Sequence, residues 1–237
     1  MGVKDYLFDF GAALGNGVVS VATDLYLGAE RTAEGLGARG WDRTGEIGLE
    51  NEYLVRHLTE LVKSPVTMRN NPLYKLITTI LERYYQEFPD DALAKIAKAA
   101  SIGGGYMAGR MLIGKALAEK IAVVLATKIA ATAAFRQLAT KLGVSAAAGS
   151  TGIGVVITLV MLQGVGQRAS KASQRLQARN PQLWSELRRQ NGLDMIFFLV
   201  EQPLANYMDA IELARCNKAM FDKDIRLLYD TPLTNGR

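Results

Sequence analysis

Histidine and cysteine are nearly missing from this chain: His57 and Cys216 are the only ones among 237 residues. One of each excludes a histidine-rich metal centre, a paired-histidine protease helix and a zinc finger. A single cysteine also leaves no intrachain disulfide framework. A Cys216 and His57 nucleophile pair is the one thiol chemistry left. Neither residue sits in a nucleophile motif, so surface or interface roles account better for both. Sustained period-two alternation of β-branched residues is absent too, which argues against a sheet. The glycine run at Gly103 to Gly109, GGGYMAG, lacks the Lys-Ser or Lys-Thr that a phosphate-binding loop requires. The carboxylate pairs Glu50 and Glu52, Asp90 and Asp91, and Asp222 and Asp224 are one or two residues apart. That spacing sends them to different helix faces, where caps and solvated surfaces explain them. Nothing here argues for an enzyme, a cofactor or a bound metal.

What the chain does have is helical spacing almost throughout, which predicts an all-α bundle of about seven to nine helices around a long hydrophobic hairpin. A first helix is expected over Asp5 to Glu34, with small residues at Gly11, Ala13, Gly15 and Gly17, followed by a glycine-punctuated loop from Gly35 to Gly48. An amphipathic helix over Glu50 to Lys63 stops at Ser64 and Pro65. Asn71 and Pro72 form an N-cap and N1 pair that starts a helix to about Phe88, and Asn180 and Pro181 repeat the device for a helix to about Gln190. Pro89 to Asp91 mark another start. Gly192 breaks the chain ahead of MIFFLV, which is too short to span a bilayer and reads as a buried helix. Pro203 opens a helix toward Met220, a further turn or two follow over Asp222 to Tyr229, and the tail from Thr231 reads as frayed. Three regions result: 1–90, 91–179 and 180–237, expected to fold as one compact domain.

Charge separates these regions sharply. Residues 1–90 carry 9 basic against 13 acidic side chains, residues 91–179 carry 12 against 2, and residues 180–237 carry 7 against 8. The basic middle is also the most apolar. From Leu142 to Gln167 it runs 26 residues without a charge, longer than the roughly 20 that a helix needs to cross a bilayer core. A basic, apolar block suits anionic lipid, where each Lys or Arg contributes about 1 kcal/mol. Nucleic acid is disfavoured, because only Tyr106 and Phe135 interleave with the basic charges.

Tyr106 to Leu142 and the uncharged stretch, joined at Gly143, make two arms of a hairpin, with Gly103, Gly104, Gly105 and Gly143 as hinge candidates. The residues expected to insert are Val144, Gly149, Gly152, Gly154, Val155, Val156, Ile157, Leu159, Val160, Met161 and Leu162. Among them Ser145, Ala148, Gly149, Ser150, Gly152 and Gly154 form small-xxx-small pairs of the kind that pack helices in lipid. Lys120, Lys128 and Arg136 interrupt the other arm, and a central Lys costs about 3 kcal/mol on insertion scales. They are therefore expected to line an aqueous lumen, or else to lie on a surface arm. Lys141, Arg168, Lys171, Arg175 and Arg179 are the candidates for lipid headgroups. A long buried core helix is the other reading of the same stretch.

On Tyr106 to Gln167 the chain resembles the pore-forming domains of colicins, departing from them at Lys120, Lys128 and Arg136. In size, in its Gly/Ala-rich centre and in the lack of a signal peptide, suggested by Asp5 and Asp9, it looks like pore-forming effectors of the bacterial type VI secretion system. The resemblance implies synthesis in the cytoplasm, a secretion-apparatus carrier or chaperone, and insertion into the inner membrane of a target cell. It further implies an immunity membrane protein and a homo-oligomer in the membrane. The rival expectation is a non-enzymatic helical adaptor or structural protein whose apolar helix packs against a partner chain.

Overall fold

The structure is a computed structural model that describes residues 31–32, 44–99, 110–132, 135–136, 140 and 152–230, with 44, 99, 110, 152–162 and 228–230 described as backbone only. Among the described residues it is all-α, with nine helices. They are α1 (Thr44–Lys63), α2 (Pro72–Gln86), α3 (Asp90–Ala99), α4 (Arg110–Ala130), α5 (Gly152–Arg179), α6 (Pro181–Arg189), a 3-10 helix (Leu193–Leu199), α7 (Ala205–Cys216) and α8 (Lys218–Asp230).

Helix α1 starts at Thr44, six residues ahead of the expected Glu50, and runs through Gly45 and Gly48. The two glycines weaken the helix, but extending it completes a stripe at Ile47, Glu50, Leu54, His57, Leu58 and Leu61, all buried. That spacing is one face of a 3.6-residue helix. Ser64 then ends it, donating through both its amide and its hydroxyl to the Glu60 carbonyl at 3.1 and 2.9 Å.

Helix α2 is the core of the described bundle. Asn71 caps it, its Oδ1 accepting from the Leu73 amide at 2.9 Å with Pro72 in the first turn. Leu73, Leu76, Ile77, Ile80 and Leu81 are fully buried. At its end Tyr84, Phe88, Tyr207 and Phe221 pack edge to face, with centroids 4.8 to 5.7 Å apart. Such pairs add about 0.5–1.5 kcal/mol beyond burial. Helix α4 lies along α2 in the most extensive helix pair of the bundle. Its inner face, Leu117, Ala118, Ala122, Leu125, Ala126 and Ile129, is half alanine, so the two backbones approach closely.

The second hub is the 3-10 helix, whose Leu193, Met195, Ile196 and Phe197 are buried where α1, α2, α5 and α6 converge. Gly192 makes the sharp entry at φ 74°, and a methyl there would sit 2.2 Å from the Tyr53 ring. The MIFFLV run is therefore a buried helix, as expected, though a 3-10 helix rather than an α-helix. Three more boundaries differ from expectation. The arm expected to run to Leu142 leaves the α-helix after Ala130, and Thr132 follows with its Oγ1 accepting from the Phe135 amide at 3.2 Å. The helix opened near Pro203 ends at Cys216, because Asn217 breaks it and caps the next, its Oδ1 accepting from the Met220 amide at 3.1 Å. The final helix accordingly reaches back to Lys218.

Candidate functional site

Helix α5 is one unbroken helix of 28 residues, about 42 Å long, that begins inside the uncharged stretch and ends in the basic run. Its described half docks through small and polar groups. Gly164, Gly166, Ala169 and Ala172 are buried, and Val165 and Leu176 are its buried large apolar side chains. Gln167, Ser170 and Ser173 follow at three-residue spacing, all three buried on the same face. Against them lies Arg31, whose side chain is 0% exposed. Its guanidinium donates to Glu50 Oε2 at 3.0 Å, to Asn51 Oδ1 at 3.0 and 3.3 Å, and to Gln167 Oε1 at 3.4 Å. Ser170 Oγ completes the group by donating to Glu50 Oε1 at 3.2 Å. Gly166 makes room for it, since a Cβ there would meet Arg31 Nε at 2.9 Å.

One turn further along α5, Ser173 Oγ donates to Asp194 Oδ2 at 2.5 Å and accepts from Trp184 Nε1 at 2.9 Å. Arg188 reaches the same carboxylate oxygen at 3.0 Å and stacks over Tyr53 and Trp184. Burial pushes the Asp194 carboxyl above its ordinary range, while Ser173 and Arg188 pull it back part of the way. His57 was expected at a surface or interface and is buried instead, in the stripe of α1. Its Nε2 lies 2.9 Å from the Asn191 carbonyl, so Nε2 carries the proton and Nδ1 is a bare acceptor. Among the described residues that buried Nδ1 has no hydrogen-bond partner. Burial, the largest influence, holds the His57 pKa below its ordinary value.

These contacts fasten a helix. Ser173 gives its proton to the Asp194 carboxylate, which Arg188 holds as well. Cys216 is exposed at the end of α7, on a different helix from buried His57. Among the described residues no group of three or more metal-ligating side chains gathers.

The expected membrane residues fall in several places. Val144, Gly149, Lys141, Gly143 and Gly103 to Gly105 lie outside the described residues. Gly152, Gly154, Val155, Val156, Ile157, Leu159, Val160, Met161 and Leu162 form the first turns of α5, described as backbone only. Lys120, Lys128 and Arg136 are exposed, and the two lysines lie on the side of α4 away from α2. Arg168 and Lys171 are half-buried on α5. Arg175 holds Glu201 in a two-pronged pair at 2.7 and 2.6 Å, and Arg179 pairs with Glu212 at 2.7 Å and with Asp209. Among the described residues no helix is long and apolar enough to cross a membrane. The two arms of the expected hairpin have different chief partners, α2 for α4 and the 3-10 helix for α5.

Sequence reasoning missed the Arg31, Glu50 and Asp194 network. Its signal was the polar repeat at Gln167, Ser170 and Ser173, directly after the uncharged stretch. Comparison with family models, with curated proteins and with solved structures finds no match to this chain.

Proposed function

We propose that this chain is a secreted antibacterial pore-forming toxin, which carries its uncharged stretch into the inner membrane of a target cell and dissipates ion gradients. The observation that carries the reading is the way α5 is held. Over residues 163–179, whose side chains are described, the helix that would have to leave the bundle is fastened mainly by small and polar side chains. Burying a Leu or Ile contributes about 1.5–3 kcal/mol, whereas a typical internal hydrogen bond contributes about 0.5–1.5 kcal/mol net. Val165 and Leu176 are few beside the five fully buried Leu and Ile of α2. Extraction of that half of α5 thus sacrifices less than extraction of α2, and a switch of this kind needs two packings separated by only a few kcal/mol.

The basic end of α5 favours the same reading. The Arg175 and Arg179 pairs are partly exposed, and such pairs contribute about 0–1 kcal/mol. An anionic bilayer offers about 1 kcal/mol for each Arg near its surface. Exchanging Glu201, Asp209 and Glu212 for headgroups is therefore close to even, and the insertion of apolar side chains tips the balance. Once inserted, Lys120, Lys128 and Arg136 face an aqueous lumen built by several copies. Delivery by a type VI apparatus and neutralisation by a membrane immunity protein belong to the same reading. Potassium release from anionic liposomes tests it: the purified protein is expected to empty them, and a folded protein that releases nothing would refute the pore.

A further inference from the structure

The outward face of α4 exposes several large apolar side chains. Met111 is 77% exposed, Leu112 63%, Val124 45% and Val123 38%, on a helix otherwise packed closely along α2. At about 100° per residue, Leu112, Ala116, Val123 and Thr127 fall within a narrow stripe along four turns. Thr127 joins the apolar stripe because its hydroxyl is satisfied within the helix, donating to the Val123 carbonyl at 2.8 Å. Lys115 borders this stripe on one side and Lys120 on the other, Val124 and Lys128 lie beyond Lys120 around the helix, and all three lysines are exposed. Glu119 is the only acidic residue of α4, and it is paired with Arg69 at 2.9 Å, which leaves no unopposed negative charge on this helix. Exposed apolar side chains gathered on one side of a helix in this way mark an interaction site.

We propose that this face is the first contact of the protein with an anionic bilayer. α4 lies in the headgroup plane, with Leu112, Val123 and Val124 sunk toward the acyl chains and Lys115, Lys120 and Lys128 at the phosphates. Charge complementarity selects the occupant. Lysines interleaved with valines fit a surface that is negative at the headgroups and apolar just beneath, since long lysine stems let the ammonium groups remain at phosphate level. The inference rests on the membrane reading above but separates docking from pore formation: α4 docks while α5 is still fastened to the bundle.

Vesicle flotation of the full chain tests it, using phosphatidylcholine with and without phosphatidylglycerol. The wild type is expected to float only with the anionic vesicles. Val123→Asp/Val124→Asp is expected to bind about tenfold more weakly or less still. Lys115→Gln/Lys120→Gln/Lys128→Gln is expected to bind about a hundredfold more weakly, each lysine contributing about fivefold. All five positions are exposed, so unchanged circular dichroism and melting are expected, and the lysine variant serves as the test if the valine variant misfolds. Variants that float like wild type would overturn the docking face while leaving the pore intact, provided that potassium is still released. Flotation lost in the variants, with no potassium release by wild type, would uphold docking and overturn the pore. A wild type that ignores anionic vesicles would overturn this proposal and leave the face to a protein partner.

Discussion

Removal of the Glu50 carboxylate should loosen α5 more than any other single change in the polar seam. Arg31 is wholly enclosed, and Glu50 is the one group among its hydrogen-bond partners with a compensating charge, the others being the Asn51 and Gln167 amides. Glu50→Ala leaves a buried guanidinium without a counter-charge, a loss of about 3–5 kcal/mol. It also takes the acceptor of Ser170, about a further 1 kcal/mol. Domains have about 5–15 kcal/mol in total, so the variant should still fold but with a much smaller margin. In urea the midpoint should fall by about 1–2 M. Removing both charges, Arg31→Met/Glu50→Leu, should restore most of the loss, because a well-packed apolar pair replaces a buried ion pair at little or no cost. Gly166 leaves space for the new side chain. A midpoint shift for Glu50→Ala below about 0.3 M, or a double variant as unstable as the single one, would refute the claim that this pair is buried and mutually compensated. Under the proposed switch Glu50→Ala should also release potassium from liposomes faster than wild type, since α5 is then held by less.

Gly192→Ala should cost about 2–4 kcal/mol, because φ 74° disfavours a Cβ and the added methyl meets the Tyr53 ring; thermal melting measures it. Asn71→Ala should cost about 2 kcal/mol in urea unfolding, since it removes the α2 cap and the donor to the Ser64 carbonyl at 2.9 Å. His57 gives the pH dependence. Its folded pKa lies below the ordinary 6.5, so the unfolded chain takes up the proton first. Its contribution is full above pH 6.5 and is lost as the pH falls through the folded value. Asp194 acts in the opposite sense, its raised pKa giving stability at low pH that fades as the pH rises through the folded value. Urea midpoints on either side of pH 6.5 for wild type and His57→Gln isolate the histidine, and the variant should show the flatter curve.

Local chemistry was legible in the sequence. The Asn-Pro pairs at 71–72 and 180–181 cap α2 and α6 as read, because an N-cap needs only its own side chain and the next amides. Gly192 was legible as a break for the same reason. Gly45 and Gly48 misled at the start of α1, where burial of Ile47 outweighs weak glycine propensity. His57 misled as well, although Leu54, Leu58 and Leu61 already set it on the apolar face of a helix from Glu50 to Lys63. The polar seam could not be read, because Arg31 and Gln167 lie 136 positions apart and Glu50 and Ser170 lie 120 apart. No local pattern encodes such pairings; only the fold brings them together.

Conductance across a planar anionic bilayer tests the central claim most directly, with wild type compared against Val156→Asp, which places a charge midway along the uncharged stretch. A charge at that depth costs about 3 kcal/mol on insertion scales. The account predicts discrete current steps for wild type and none for a Val156→Asp variant that circular dichroism shows to be folded. Equal current steps from the folded variant would contradict it.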